Sequence, residues 1–171
     1  MADKYQTLDA GCKKLTEATT VSTGVAEAGD IIALDAAGKI DNSLLPTGIG
    51  ADTAVLPASE NLGAGDFVNI FDDGGTVSVR LADNSNDREA NGFVLSAVTA
   101  AANATVYFEG TNNALSGLTL GSRYYLDTAG GITATPVDPA SAAAGTIHQY
   151  IGRATSATEI NVEMDDKIVV A

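Results

Sequence analysis

His148 is the only imidazole in the chain and Cys12 the only thiol, and there is no Trp. Any Ser-His-Asp arrangement would have to be built on His148. That residue sits in Ile147-His148-Gln149-Tyr150-Ile151. Strand alternation places Ile147, Gln149 and Ile151 on one side and His148 with Tyr150 on the other. This reads as a partly exposed strand histidine rather than a general base, and no Gly-x-Ser-x-Gly elbow accompanies it. One His and one Cys cannot supply the four ligands of a structural zinc site. Cys12 has no histidine near it in sequence and is expected to be a small apolar residue.

Carboxylates are more plentiful. Asp72 and Asp73 are adjacent, Asp83 and Asp87 flank Asn84 and Asn86, and Asp165 and Asp166 are adjacent. A calcium loop of the EF-hand type needs Gly at its sixth position and Glu at its twelfth. Counted from Asp83, those positions hold Arg88 and Val94. Turn carboxylates in water are the expected reading. Paired acids for glycoside hydrolysis stay open on sequence, although such sites usually carry aromatic sugar platforms and aromatics here are 5%. Gly63-Ala64-Gly65 leads into a strand and lacks the Lys of a phosphate loop. The sequence names no catalytic, cofactor-binding or metal-binding residue, and a non-enzyme with no cofactor is expected.

The elements around these residues read as all-β. Short apolar runs recur at Phe67 to Phe71, Thr76 to Arg80, Gly92 to Val98, Thr105 to Glu109, Arg123 to Leu126, Gly131 to Thr135, Ile147 to Ala154 and Glu159 to Glu163. Helical signals are confined to Asp41 to Leu45 and Ser59 to Leu62, and the Ala-rich runs at 99–102 and 140–144 read as loops. One device repeats. AGDIIALDAAGKI, AGDFVNIFDDGGTV and LGSRYYLDTAGGIT each lead an apolar strand into an Asp- and Gly-bearing turn and out again. Such a unit builds hairpins and needs no chemistry.

A boundary is expected near Pro46-Thr47-Gly48-Ile49-Gly50, with 1–50 an arm or small hairpin module and 51–171 the main β-domain. The tail Asp165-Asp166-Lys167-Ile168-Val169-Val170-Ala171 is expected to add an edge strand or to dock on a neighbour, because an apolar strand left in water invites pairing. Net charge is −13. Nine scattered Lys and Arg form no basic face, so neither nucleic acid nor an anionic membrane surface is an expected partner. No apolar run approaches the ~18 residues of a membrane span. MADKYQTLDAG has no apolar leader core, and a soluble product of a reducing cytoplasm is expected.

Against this background a resemblance appears. Ala58-Ser59-Glu60-Asn61-Leu62-Gly63-Ala64-Gly65-Asp66-Phe67-Val68 resembles the first strand of tailed-bacteriophage head decoration (cement) proteins. Gly92-Phe93-Val94, Val106 to Gly110, Gly117 to Leu126, Gly131-Ile132-Thr133 and Gln149 to Ala154 are similar to later parts of the same domains, in the same order. The resemblance implies a small β-barrel, β-tulip-like or sandwich domain with an extended N-terminal arm. It further implies a virion protein on the outer capsid surface that bridges major capsid protein subunits and stabilises the head against packaged DNA. It would be a homo-oligomer, a trimer favoured over a dimer, without catalytic residues.

An arm of that kind binds by adding strands to a neighbour's edge. Tyr5, Leu8 and Leu15 of the arm and Ile168, Val169 and Val170 of the tail are the expected partner-binding residues. Gly38-Lys39-Ile40-Asp41-Asn42-Ser43-Leu44-Leu45-Pro46 resembles linker modules of phage fibres, which leaves a fibre or tail component in host attachment as the alternative. A carbohydrate-binding or carbohydrate-acting module using Tyr107, Tyr124 or Tyr125 is the third reading.

Overall fold

The computed structural model describes residues 4–45 and 51–171. The chain divides into two units, Met1–Gly50 and Ala51–Ala171. The five residues of the expected boundary, 46–50, lie outside the described ones.

In the first unit, β1 (Lys4–Asp9) and β2 (Cys12–Glu17) form an antiparallel hairpin, with Lys4 opposite Glu17 and Asp9 opposite Cys12. Ala10 and Gly11 make its two-residue turn with φ of 49° and 82°, the left-handed pair that a tight hairpin requires. The arm is therefore folded on itself between Lys4 and Glu17 rather than extended, since this turn lets the chain satisfy its own backbone groups. Thr19 makes a parallel bridge to Ile32 beyond it. The first copy of the repeat builds that single bridge and a turn, not a hairpin. Asp35 N–H donates to Lys39 O at 2.8 Å, and the Asp35 carboxylate accepts from Ala37 and Lys39 N–H. Asp41 to Leu45 becomes one 3₁₀ turn, Asn42–Leu44. None of the described residues of this unit is buried.

The second unit is all-β. Its strands are β3 (Thr53–Pro57), β4 (Phe67–Asp73), β5 (Thr76–Leu81), β6 (Gly92–Phe93), β7 (Asn103–Tyr107), β8 (Gly110–Asn112), β9 (Arg123–Leu126), β10 (Ile132–Thr133), β11 (Ile147–His148), β12 (Tyr150–Ala154), β13 (Ile160–Val162) and β14 (Ile168–Val169). One five-stranded sheet has the order β3-β7-β6-β4-β5, a second β10-β9-β12-β13-β8, and β11 pairs with β14. The other two copies of the repeat are true hairpins, β4–β5 closed by Gly74 and Gly75 and β9–β10 closed by Asp127 to Gly131.

Two cores follow from the alternation of β4. Phe67 faces one way and packs with Phe93, which stacks on Tyr107 at 5.5 Å. These rings meet Tyr124, Leu126, Ile151, Ile160 and Val162 from the second sheet. Val68 faces the other way and packs with Val79, Val94, Ala104, Val106 and Leu62. This second core forms because the first sheet curls. Its two edges meet where Ala58 bridges Val79, and Ser59 N–H donates to Val79 O at 2.8 Å. A single bridge is not a ladder, so no sheet closes into a barrel, and of the expected architectures the closed one is not formed.

Bonds made sideways to distant segments also explain two departures from expectation. Ser59 to Leu62 is not helical, because its backbone bonds sideways to Val79 and Val98 instead of to itself. Gly92 to Val98 is a strand only over Gly92–Phe93. Beyond it Val94 turns to bond Asp66 O and Gly65 N–H, and Val98 turns to Leu62.

Candidate interaction surfaces

On the N-terminal hairpin, opposed residues share a face. Lys4, Gln6 and Leu8 stand with Glu17, Leu15 and Lys13, and all six are exposed. Lys4 Nζ and the Glu17 carboxylate pair at 3.3 Å on that face. Leu8 (75% exposed) and Leu15 (63%) thus form an apolar spot flanked by lysines on the open side of the hairpin. Tyr5 is on the other side. Its hydroxyl donates to Asp30 Oδ1 at 3.3 Å and accepts from Ile31 N–H at 3.2 Å. Its phenol is spent on holding the hairpin to the segment beyond, which separates it from Leu8 and Leu15.

At the C-terminus, β14 runs antiparallel to β11, with Ile168 opposite His148 and Val169 opposite Ile147. Val170 extends the pairing through Thr146 O and Gly145 N–H. The tail is therefore an edge strand of its own domain. Ile147 gives its N–H to Asn84 O at 2.7 Å, away from β14, so Val169 opposite it turns its own backbone groups outward. Ile168 and Val169 are exposed and Val170 half-buried. Together with Val137, Pro139 and His148 they line a surface groove of about 530 Å³. His148 Nδ1 is buried there without a hydrogen-bond partner among the described residues, and its ring packs on Tyr125 at 4.9 Å.

Of the carboxylates weighed for metal binding, Asp72 and Asp83 are engaged in turns and Asp87 pairs with Lys167. Asp72 Oδ1 accepts from Gly75 N–H at 2.6 Å. Asp83 accepts from Ser85 N–H and Oγ and from Ala129 N–H. Burial pushes the Asp83 carboxyl up, but these bonds and Arg88 outweigh it and hold it below its ordinary value. Among the described residues, no three His, Cys, Asp or Glu side chains converge as a metal set.

The outer face of the second sheet carries residues that sequence reading passed over. Tyr124 and Leu126 point into the core, so Arg123 and Tyr125 point out. Tyr150 lies opposite Tyr125, and Arg153 opposite Arg123. Positions 150 and 153 would face opposite sides of a regular strand. A bulge between Tyr150 and Gly152 inserts one extra residue in β12 and returns both to the outer face. Gly152 is required there, since a Cβ would collide with Asn161 O. Tyr125 meets Tyr150 edge-on at 5.9 Å, and the Arg123 guanidinium lies 5.0 Å from the Tyr150 ring centroid. Of the three tyrosines singled out for sugars, only Tyr125 is on this face. Tyr124 is buried, its hydroxyl accepting from Thr119 N–H at 2.8 Å, and Tyr107 is half-buried against Phe93.

Comparison with known proteins gives little to lean on. No protein-family model matches the chain, and no curated protein matches it. Among solved structures it is similar to the N base of head fiber gp8.5 of bacteriophage phi29, at 14% identity and a TM-score of 0.42, over 71% of this chain and 95% of that one. At that TM-score the likeness decides neither fold nor function.

Proposed function

We propose that this chain is a non-enzymatic structural protein of a tailed-phage virion that decorates the outer capsid surface and bridges major capsid protein subunits as a homo-oligomer. The observation that carries this reading is where apolar side chains meet water. Leu8, Leu15, Val21, Val25, Ile31, Ile32, Leu34 and Ile40 are all exposed on the first unit, which buries nothing among its described residues. So many exposed apolar side chains in one small unit stabilise a complex rather than a monomer. Each leucine or isoleucine buried against a partner would contribute roughly 1.5–3 kcal/mol. In the second unit, the exposed strand at Ile168 and Val169 offers a second apolar edge. Two separate contact surfaces are what a bridging protein needs. The ordered resemblance of residues 58–154 to decoration proteins supplies the kind of partner.

The test is binding of the purified chain to phage heads lacking it. Wild type raises the temperature at which heads release DNA. Leu8→Ser/Leu15→Ser and Ile168→Ser/Val169→Ser each weaken binding while leaving the melting of the second unit in place. Sedimentation of the free chain reads the oligomer, with a trimer expected. Immunogold label over the whole head supports decoration, whereas label confined to the tail transfers the chain to the fibre reading.

A further inference from the structure

Arg123 and Arg153 are directly opposed on neighbouring strands of a chain whose net charge is −13. Like charges so placed repel. Neither arginine has a carboxylate within 4 Å among the described residues, although acids outnumber bases 22 to 9. Glu163, just after β13, is held instead by Asn161 Nδ2 at 2.8 Å. Arg153 spends one nitrogen on Gly121 O at 2.6 Å, and Arg123 lies over Tyr150. Both side chains are exposed residues with donors to spare. The bulge at Ile151–Gly152 is what brings Arg153 to this face at all. Bulges that re-aim one side chain recur beside functional sites.

Two rows cross the sheet here. Thr133, Tyr125 and Tyr150 are opposed in one, and Arg123, Arg153, Asn161 and Thr111 in the other. His148 continues the aromatic row from β11. We propose that this face binds a saccharide carrying a carboxylate, the acid group taken by Arg123 and Arg153 and a neighbouring pyranose packed on Tyr125 and His148. Guanidinium forks match a carboxylate in two parallel bonds, and the electron-rich face of an aromatic ring suits the C–H face of a sugar. A protein segment fits less well. β9 and β12 are inner strands, flanked on both sides in the order β10-β9-β12-β13-β8, so no free backbone edge is available for strand addition. Nucleic acid fits less well again, because a phosphate at every nucleotide meets the remaining negative charge of the chain.

The experiment is calorimetric titration of the full chain with an oligosaccharide ending in glucuronate and with its glucose-ended counterpart. The acidic sugar binds at least about tenfold more tightly, which is one charge-assisted bond of ~1.5 kcal/mol, and the difference shrinks as salt rises. Arg123→Gln and Arg153→Gln each remove that difference with melting unchanged, and Arg123→Lys keeps only part of it. Equal binding of the two sugars, or binding of neither, overturns the proposal. So does an oligoglutamate peptide or an oligo-dT strand that binds as tightly as the glucuronate sugar. Head binding is scored separately, so the capsid reading stands or falls without this one.

Discussion

Gln149 pairs with Ala90 as one strand pairs with another, although one partner is a side chain. Gln149 Oε1 accepts from Ala90 N–H at 2.8 Å, and Gln149 Nε2 donates to Ala90 O at 2.9 Å. The same Nε2 reaches Asp165 O at 3.1 Å, which ties the segment leading to β14 to the same point. Gln149 is 3% exposed, so these bonds are made away from water.

Truncating that amide leaves buried backbone groups without partners. Each such group costs about 1–3 kcal/mol. Gln149→Ala is expected to lower stability by roughly 3 kcal/mol, a fall in Tm of about 10 °C. Gln149→Glu keeps the acceptor for Ala90 N–H but turns the donor into an oxygen facing two carbonyls. It is expected to be as unstable as Ala at neutral pH and to recover at acid pH. Denaturation of the three proteins at both pH values checks this, and a Glu variant matching wild type at neutral pH would sink it.

Gly152 admits no side chain. An added Cβ would collide with Asn161 O and sit 3.3 Å from Ile160 Cγ1, so β12 and β13 would have to part. Gly152→Ala is expected to cost roughly 3 kcal/mol, at the upper end of overpacking effects. It should also disturb the amide resonances of Arg153 and Arg123 before those of β4 and β5. A variant with wild-type melting and an unchanged spectrum would show that the bulge yields freely.

These two residues also mark how far the sequence could be read. Alternation around His148 placed Ile147, Gln149 and Ile151 inward, and all three are buried. Carried on by the same rule, Arg153 would have pointed into the core. The bulge that prevents this lies in backbone register, and its only local trace is a glycine between two strand residues. The hairpins at Asp72 to Gly75 and Asp127 to Gly131 were legible because turn chemistry is local. The curling of the first sheet was not, because Ala58 meets Val79 through a contact that no short window contains. Likewise the bonds of the Tyr5 hydroxyl to Asp30 and Ile31 join residues more than twenty positions apart and leave no local signal.

Asp66 gives a pH signature. It precedes β4, half-buried, and accepts from Gly63 N–H at 2.6 Å. Burial raises its pKa above the ordinary 3.8, and the Gly63 bond only partly opposes this. A carboxyl raised on folding binds its proton more tightly in the native state. Its favourable contribution is therefore present below pH 3.8 and is lost as pH rises through the folded value. Asp66→Asn keeps an acceptor for Gly63 and has no charge to bury. Wild type is expected to lose stability relative to Asp66→Asn as pH rises from about 4 towards neutrality. A stability difference that is flat across that range would remove Asp66 from the account.

Lys167 tests what holds the C-terminal strand. Its ammonium donates to Asp87 Oδ1 at 2.7 Å, and this bond raises the lysine pKa above 10.5, with a slight opposing push from burial. A raised lysine stabilises the fold below pH 10.5, and that contribution disappears as pH climbs through the folded value. The Asp87 side chain is largely exposed, so solvent screens the pair and its worth is at most about 0.5–1 kcal/mol. Lys167→Ala should therefore leave global Tm within a few degrees of wild type. Local opening is more sensitive, because β14 contributes only two strand residues. Amide exchange at Ile168 and Val170 is expected to quicken about two- to fivefold in Lys167→Ala, while exchange in β4 and β12 stays as it was. Raising salt should bring wild type towards the variant. If the two proteins exchange alike at low salt, the bonds of Val170 to Thr146 and Gly145 hold the strand alone, and its edge at Val169 keeps its geometry without the ion pair.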